Sequence, residues 1–216
     1  MTHPRPPHPD SVHVIEHPLI AHYLTGIRNQ QTPSPRFREW VGQIGAILAY
    51  EATRDLALIQ TDVQTPMETC VGHQLAQPIH LVPILRAGLG FADSIHRMIP
   101  DAKVGHIGMF RDEEHLTPVA YYQKLPDSIA NGPVLLVDPM LATGGSAVAA
   151  VKLLRSHGCE DIRMVCLIAA PEGISALCAS DPALPIYTAA IDRQLNDKGY
   201  ILPGLGDAGD RLFGTL

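Results

Sequence analysis

A chain of 216 residues with 46% hydrophobic and 18% charged residues can bury one substantial core, and its composition excludes a disordered polymer. Sixteen Lys and Arg against 22 Asp and Glu give a formal charge of −6, which opposes non-specific attraction to nucleic acid or anionic lipid. The longest obvious apolar run, Met164 to Ala170, is far short of the roughly 18 residues that cross a bilayer, so no membrane association is expected.

At the start of the chain, closely spaced prolines remove backbone donors and bias their predecessors away from helix. Residues 1–12 are therefore expected to form a flexible arm, and residues 13–216 a single domain. The first ten residues have no apolar stretch of the kind a secretory signal needs, so a cytoplasmic location is expected. Five of the 11 histidines (His3, His8, His13, His17, His22) fall in this region, without a paired cysteine or a His-Glu-x-x-His pattern, and do not suggest a metal site. Cys70, Cys159, Cys166 and Cys178 have no Cys-x-x-Cys spacing and are expected to be small buried thiols.

Ser34-Pro35 is a cap-then-proline helix start, and Phe37, Trp40, Val41, Ile44, Ile47 and Leu48 recur at helical spacing, which predicts a core-facing helix. Thr65-Pro-Met-Glu68 has the form of a capping box, so a second helix is expected from there to a stop before Pro78. Beyond Pro78 come short β-rich runs at 78–85, 103–109, 133–138, 162–168 and 185–191. Helical stretches follow at 90–99, 145–157 and 172–179. Apolar strands alternating with helices predict a parallel sheet covered on both faces. Ligands of such sheets bind beyond the carboxyl ends of the strands, at the loops beginning near Arg86, Phe110, Asp138 and Asp192.

In the third of these loops, the apolar run Val134–Val137 ends in Asp138, and Pro139-Met140-Leu141-Ala142-Thr143-Gly144-Gly145-Ser146 then opens a helix. Glycines free backbone N–H groups to converge on an anion, the helix start adds its positive dipole end, and Thr143 and Ser146 add hydroxyls. The segment is a candidate phosphate cradle. It is not a Walker loop, because no Gly-Lys pair occurs, and this loop lacks a Gly-x-Gly-x-x-Gly pattern. A carboxylate beside an anion site is unfavourable unless it accepts hydrogen bonds from sugar hydroxyls while the cradle takes a phosphate.

The stretch 137–147 resembles the motif of type I phosphoribosyltransferases that binds 5-phosphoribosyl 1-diphosphate (PRPP), and within them the uracil phosphoribosyltransferases. Pro139 stands where most type I members have a second acidic residue, a departure the uracil branch shares. Val82-Pro-Ile-Leu-Arg86-Ala-Gly-Leu-Gly90 is similar to that family's diphosphate loop. Residues 108–126, which alone would pass for a solvated hairpin loop, match its PRPP-contacting arginine, here Arg111, and a mobile flap running to Lys124. The tail from Asp192 to Thr215 is rich in glycine (Gly199, Gly204, Gly206, Gly209, Gly214), an entropic cost that close backbone approach to a ligand would justify.

The resemblance implies a type I phosphoribosyltransferase-like α/β fold: a central, mostly parallel sheet flanked by helices, with a small hood of terminal segments and the flap. It implies transfer of phosphoribosyl from PRPP to uracil, giving UMP and diphosphate. By this resemblance Arg86, Arg111, Asp138 and Asp207 are catalytic. PRPP is held by those four and by Pro139, Met140, Leu141, Ala142, Thr143, Gly144, Gly145 and Ser146, and uracil by Ile201, Gly206, Asp207 and Ala208. Mg²⁺ would be carried mainly by PRPP rather than by protein ligands. A homodimer or higher homo-oligomer and allosteric GTP are further implications. Two alternatives stay open: a pyrimidine-responsive RNA-binding regulator on the same fold, which the negative charge disfavours, and a generic doubly wound nucleotide-binding module.

Overall fold

The computed structural model describes residues 9–111 and 118–215. The first eight residues of the expected arm therefore lie outside the described residues, and Val12 already pairs with the sheet. In chain order the elements are β1 (Val12–Val14), α1 (Pro18–Arg28), α2 (Ser34–Ala52), β2 (Leu58–Gln64), β3 (Thr69–Leu75), β4 (His80–Leu85), α3 (Ala87–Met98), β5 (Lys103–Val104), β6 (His106–Arg111) and β7 (Pro118–Lys124). They continue with β8 (Val134–Val137), β9 (Met140–Leu141), α4 (Gly145–Ser156), β10 (Ile162–Ala169), α5 (Pro171–Ser180), β11 (Ile186–Ile191), β12 (Gln194–Leu195), β13 (Ile201–Leu202) and α6 (Ala208–Phe213).

The main sheet runs β1-β11-β10-β8-β4-β6-β7, with β5 beside β4 and β9 beside β10. Every pair is parallel except β6 with β7. Successive side chains of a strand point to opposite faces, and here that alternation separates two cores. Leu81, Leu135, Val137, Val165 and Leu167 pack under α1, α2, α3 and α6. Val82, Val134, Leu136, Met164 and Cys166 pack under α4 and α5. Such uniformly apolar strands are what a sheet covered on both faces requires.

The sequence analysis leaves residues 18–28 unassigned, and they form α1. His17 caps it, its Nδ1 accepting from the Leu19 N–H at 3.2 Å, and Pro18 occupies the first turn. The second predicted helix, from Thr65, does not form. Thr65 Oγ1 does accept from the Met67 and Glu68 N–H groups, as a cap would, but Thr65 N–H also donates to Glu68 O at 3.0 Å and the chain turns back. Thr69-Cys-Val-Gly-His-Gln-Leu75 is rich in residues that disfavour helix, so the capping residues close an antiparallel β2–β3 hairpin instead. Cys70 is accordingly exposed rather than buried and Cys178 only half-buried, whereas Cys159 and Cys166 are buried as expected.

Candidate active site

Parallel register brings the carboxyl ends of β4, β8, β10 and β11 to one edge, so their following loops converge. The approach is close where it has to be. A Cβ on Gly88, in the first turn of α3, would lie 2.8 Å from Val137 O at the end of β8. That space, with Gly90 set against Leu212 of α6, lets α3 begin directly beside the Asp138 loop.

Around this edge a cavity of about 240 Å³ is lined by Asp138, Met140 and Ala142 from one loop and by Ile201, Gly206, Asp207 and Ala208 from the tail. Ala87, Gly199, Tyr200 and Gly209 complete it. Seven of the expected site residues, drawn from segments some 60 residues apart, thus meet at one point. Pro139 and Leu141 face elsewhere: Pro139 O accepts from Leu167 and Ile168 N–H, Leu141 O accepts from Ala170 N–H, and the Leu141 side chain is core. Both strap the loop to β10.

The candidate cradle, Thr143–Ser146, follows directly on Ala142 of this lining. Gly144 adopts φ +81° as the residue before α4, a conformation that strains any side-chain-bearing residue. A Cβ there would also meet Gly173 O at 2.8 Å, and one on Gly173 would meet Ala142 O at 2.5 Å, so α5 braces the turn through paired glycines. Gly144, the residue before α4, provides no side-chain cap, and the Gly145 N–H in the first turn reaches only Thr143 Oγ1 at a long 3.5 Å, a contact that an anion at the helix start would compete with.

Burial pushes the Asp138 carboxyl up to about 7, only partly opposed by the Met140 N–H at 3.5 Å. Behind it, burial and, less strongly, the neighbouring Asp138 push the Cys166 thiol up to about 12, which leaves an inert apolar sulfur. Arg86, the residue before α3, is largely exposed, with its guanidinium 3.5 Å from Asp210 Oδ1 on α6. Asp207 caps α6, accepting from Asp210 N–H at 3.0 Å. Arg111 ends β6; its side chain and the expected flap tip at 112–117 lie outside the described residues.

The tail also contains residues that the sequence analysis does not single out as site residues. Strands β12 and β13 pair so that Leu195 and Ile201 oppose each other as a non-hydrogen-bonded pair, between Arg193 N–H to Leu202 O and Asn196 N–H to Tyr200 O. Ile201 therefore turns its own N–H and C=O away from β12. Arg28, at the end of α1, pairs with Asp192 at 2.7 and 2.9 Å and also donates to Gly204 O. An acidic strand end is the one visible signal for Asp192; nothing local to α1 marks Arg28. Gly204-Leu-Gly206-Asp-Ala-Gly209 spells a dinucleotide pattern in its letters. It follows a two-residue hairpin strand and opens a six-residue helix, so the βαβ context that gives that pattern meaning is missing.

The purine phosphoribosyltransferase of Pyrococcus horikoshii superposes with a TM-score of 0.51 at 15% identity, covering 72% of this chain and 85% of that one. The fold, with its loops gathered at one sheet edge, is that of the type I phosphoribosyltransferases. The AQ2163 protein of Aquifex aeolicus matches far more closely, with a TM-score of 0.88 and 39% identity over 94% of this chain and 97% of that one. The family model described as uracil phosphoribosyltransferase matches residues 14–215. Uracil phosphoribosyltransferase from Acholeplasma laidlawii is 54% identical over 202 residues, 94% of this chain and 97% of that protein. The one from Caldanaerobacter subterraneus subsp. tengcongensis is 54% identical over 207 residues, 95% and 99% respectively. The chain belongs to the uracil phosphoribosyltransferase family of pentosyl-transferring enzymes.

Proposed function

We propose that the chain transfers the 5-phosphoribosyl group of PRPP to N1 of uracil, releasing UMP and diphosphate. The observation that carries this reading is the single cavity shared by the Asp138 loop and the glycine-rich tail. Its 240 Å³ falls below the ~300–1,000 Å³ of sites for larger ligands and suits a one-ring base. Uracil presents acceptor, donor, acceptor along O4, N3–H and O2. Ile201 offers a backbone donor and acceptor outside its ladder, and Gly206 and Ala208 offer N–H groups without a bulky side chain in the way.

In the reaction the bond from the anomeric carbon to diphosphate breaks largely before the bond to N1 forms, so the sugar becomes cationic while negative charge grows on the leaving group. Thr143, Gly144, Gly145 and Ser146 hold the 5′-phosphate at the start of α4. Asp138, once ionised, accepts from the ribose hydroxyls, and Arg86 and Arg111 stabilise the departing diphosphate.

Magnesium fits this site as a companion of the substrate. Asp138 and Asp207 bring two carboxylates to the cavity, and no group of three metal-ligating side chains occurs among the described residues. Mg²⁺ is commonly held through one or two carboxylates plus substrate phosphates, and when bound it would neutralise diphosphate charge.

We further read the enzyme as a homodimer or higher homo-oligomer located in the cytoplasm, where a charged substrate such as PRPP is retained, with GTP as a candidate allosteric ligand whose effect the assay below reads. No described helix is long and apolar enough to cross a membrane. The oligomer reading is supported by the β2–β3 hairpin, which exposes Leu58, Val71 and Leu75 on one face and Ile59 and Val63 on the other.

The test is UMP formation from uracil and PRPP, with Mg²⁺ and GTP each added or withheld and cytosine as the competing base. Strong rejection of cytosine is expected, because its exchanged donor and acceptor would leave buried groups unpaired. Equal turnover of the two bases would remove the tail from base recognition. RNA binding without turnover would favour the regulator.

A further inference from the structure

Between Ile201 and Ala208 the chain has almost no regular structure, yet a backbone that reads a base edge has to hold its peptide planes fixed. Gly204 adopts φ +62°, and a Cβ there would lie 2.1 Å from Ile201 O, so this position cannot accept a side chain to anchor it. It is held instead by groups from elsewhere in the chain. Gly204 N–H donates to Asp192 Oδ2 at 2.8 Å, and Gly204 O accepts from Arg28 Nη1 at 2.9 Å. The two gripping side chains are themselves joined, Arg28 Nη2 to Asp192 Oδ1 at 2.7 Å and Arg28 Nη1 to Asp192 Oδ2 at 2.9 Å.

The next carbonyl is held in the same way by a second arginine. Leu205 O accepts from Arg211 Nη1 at 2.7 Å, and the same guanidinium donates to Ile27 O and to Asn29 O, on either side of Arg28. Its Cζ lies over the Phe37 ring, 4.2 Å from the centroid. The Leu205–Gly206 peptide is not one of the two cis bonds of the described chain. In a planar trans peptide the N–H points opposite to the C=O. Fixing Leu205 O on Arg211 therefore sets the direction of Gly206 N–H, away from Arg211, and Gly206 lines the cavity.

We infer that Arg28, Asp192 and Arg211 form a clamp of positioning residues for base recognition: they touch no substrate, and they fix the peptide planes of Gly204 to Gly206 so that the tail presents a preformed edge to uracil. This rests on the assignment of the tail as the base site. It goes beyond that assignment in tying uracil affinity to the end of α1, an element that contributes nothing to the cavity lining. Loop order of this kind governs binding through preorganisation, because a slack loop has to be ordered when the base arrives.

The test is steady-state kinetics on Arg28→Ala, Arg28→Lys and Asp192→Asn, with thermal melting of each. Arg28→Ala is expected to raise the uracil KM at least about tenfold while the PRPP KM stays within about twofold. Arg28→Lys keeps the charge and one donor and should recover part of that loss; Asp192→Asn keeps the shape and an acceptor for Gly204 N–H and should raise the uracil KM a few-fold. These two variants carry the test if Arg28→Ala does not fold. An unchanged uracil KM, or uracil and PRPP KM rising together with a lowered melting temperature, overturns the clamp. Gly206→Ala is the control for the base site. If it raises the uracil KM and the Arg28 variants do not, only the clamp fails; if neither moves it, the base site is misplaced and the clamp falls with it.

Discussion

Asp138 is a half-buried carboxyl lining a cavity, and its titration follows from that position. A group pushed up to about 7 keeps its proton in the native protein at pH values where the unfolded chain, titrating near the ordinary ~3.9, has already lost it. Its contribution to stability is therefore largest below about pH 4 and falls as pH rises to about 7, the reverse of a salt-bridged carboxylate. In catalysis the sign reverses again, because only the ionised form accepts from two ribose hydroxyls. We expect kcat/KM for PRPP to rise with pH and level off above about 7, since this parameter reports ionisations of the free enzyme. The phosphate of the substrate also titrates, near ~6, so the comparison with Asp138→Asn is decisive. That variant should be slower at every pH and lack the limb near 7. Retention of the limb in Asp138→Asn would assign it to another group.

At the scale of the element, the proposed phosphate cradle depends on how α4 begins and what stands behind it. Gly144 and Gly158 mark the two ends of α4, both at φ +81°, so replacing either by alanine carries a similar backbone strain of ~1–3 kcal/mol. Their surroundings differ. A Cβ on Gly158 meets nothing closer than Ala130 Cβ at 3.5 Å, while one on Gly144 runs into Gly173 O at 2.8 Å and must displace either the turn or α5. Gly158→Ala is therefore expected to lower the melting temperature with an unchanged PRPP KM. Gly144→Ala should lower the melting temperature and also raise the PRPP KM by about tenfold or more, roughly the 1.4 kcal/mol that a decade represents. Equal PRPP KM values in the two variants would show that the turn before α4 does not hold the phosphate.

For the whole molecule, the feature that calls for explanation is the β2–β3 hairpin. An isolated two-stranded hairpin is marginal in water, and an antiparallel ribbon normally keeps apolar residues to one face. Here Val63 is 42% exposed on one face and Val71 60% exposed on the other, which suits a ribbon embraced on both sides by a second copy of the chain. Sedimentation of the wild-type protein is expected to show a dimer or larger species, and Val63→Lys combined with Val71→Lys should shift it to monomer. Neither residue lines the cavity. A monomeric wild type, or an unmoved oligomer in the double variant, would leave the hairpin without this role.

Much of the molecule was legible because its causes are local. A buried strand is a run of apolar residues, a helix start is a cap followed by proline or glycine, and an anion cradle is glycine and hydroxyl at a strand-to-helix turn. The core strands β4, β6, β8, β10 and β11 could therefore be found from their apolar runs, and the turn at Thr143–Ser146 could be singled out as a candidate cradle, whereas the short or paired strands β7, β9, β12 and β13 could not. The Thr65 segment shows where that logic stops. The same hydroxyl and the same two N–H groups cap a helix or close a turn, and only the strand-forming residues that follow, paired with β2, decide between them. The site was legible in its parts but not in its assembly. Asp138 and the tail could each be picked out, yet their meeting depends on parallel register across β8, β10 and β11. Arg28 and Asp192, 164 residues apart, have no periodicity to link them. Their pairing exists because α1 ends beside β11 in the folded chain, and a long-range ion pair takes its partners from tertiary position, which no local pattern encodes.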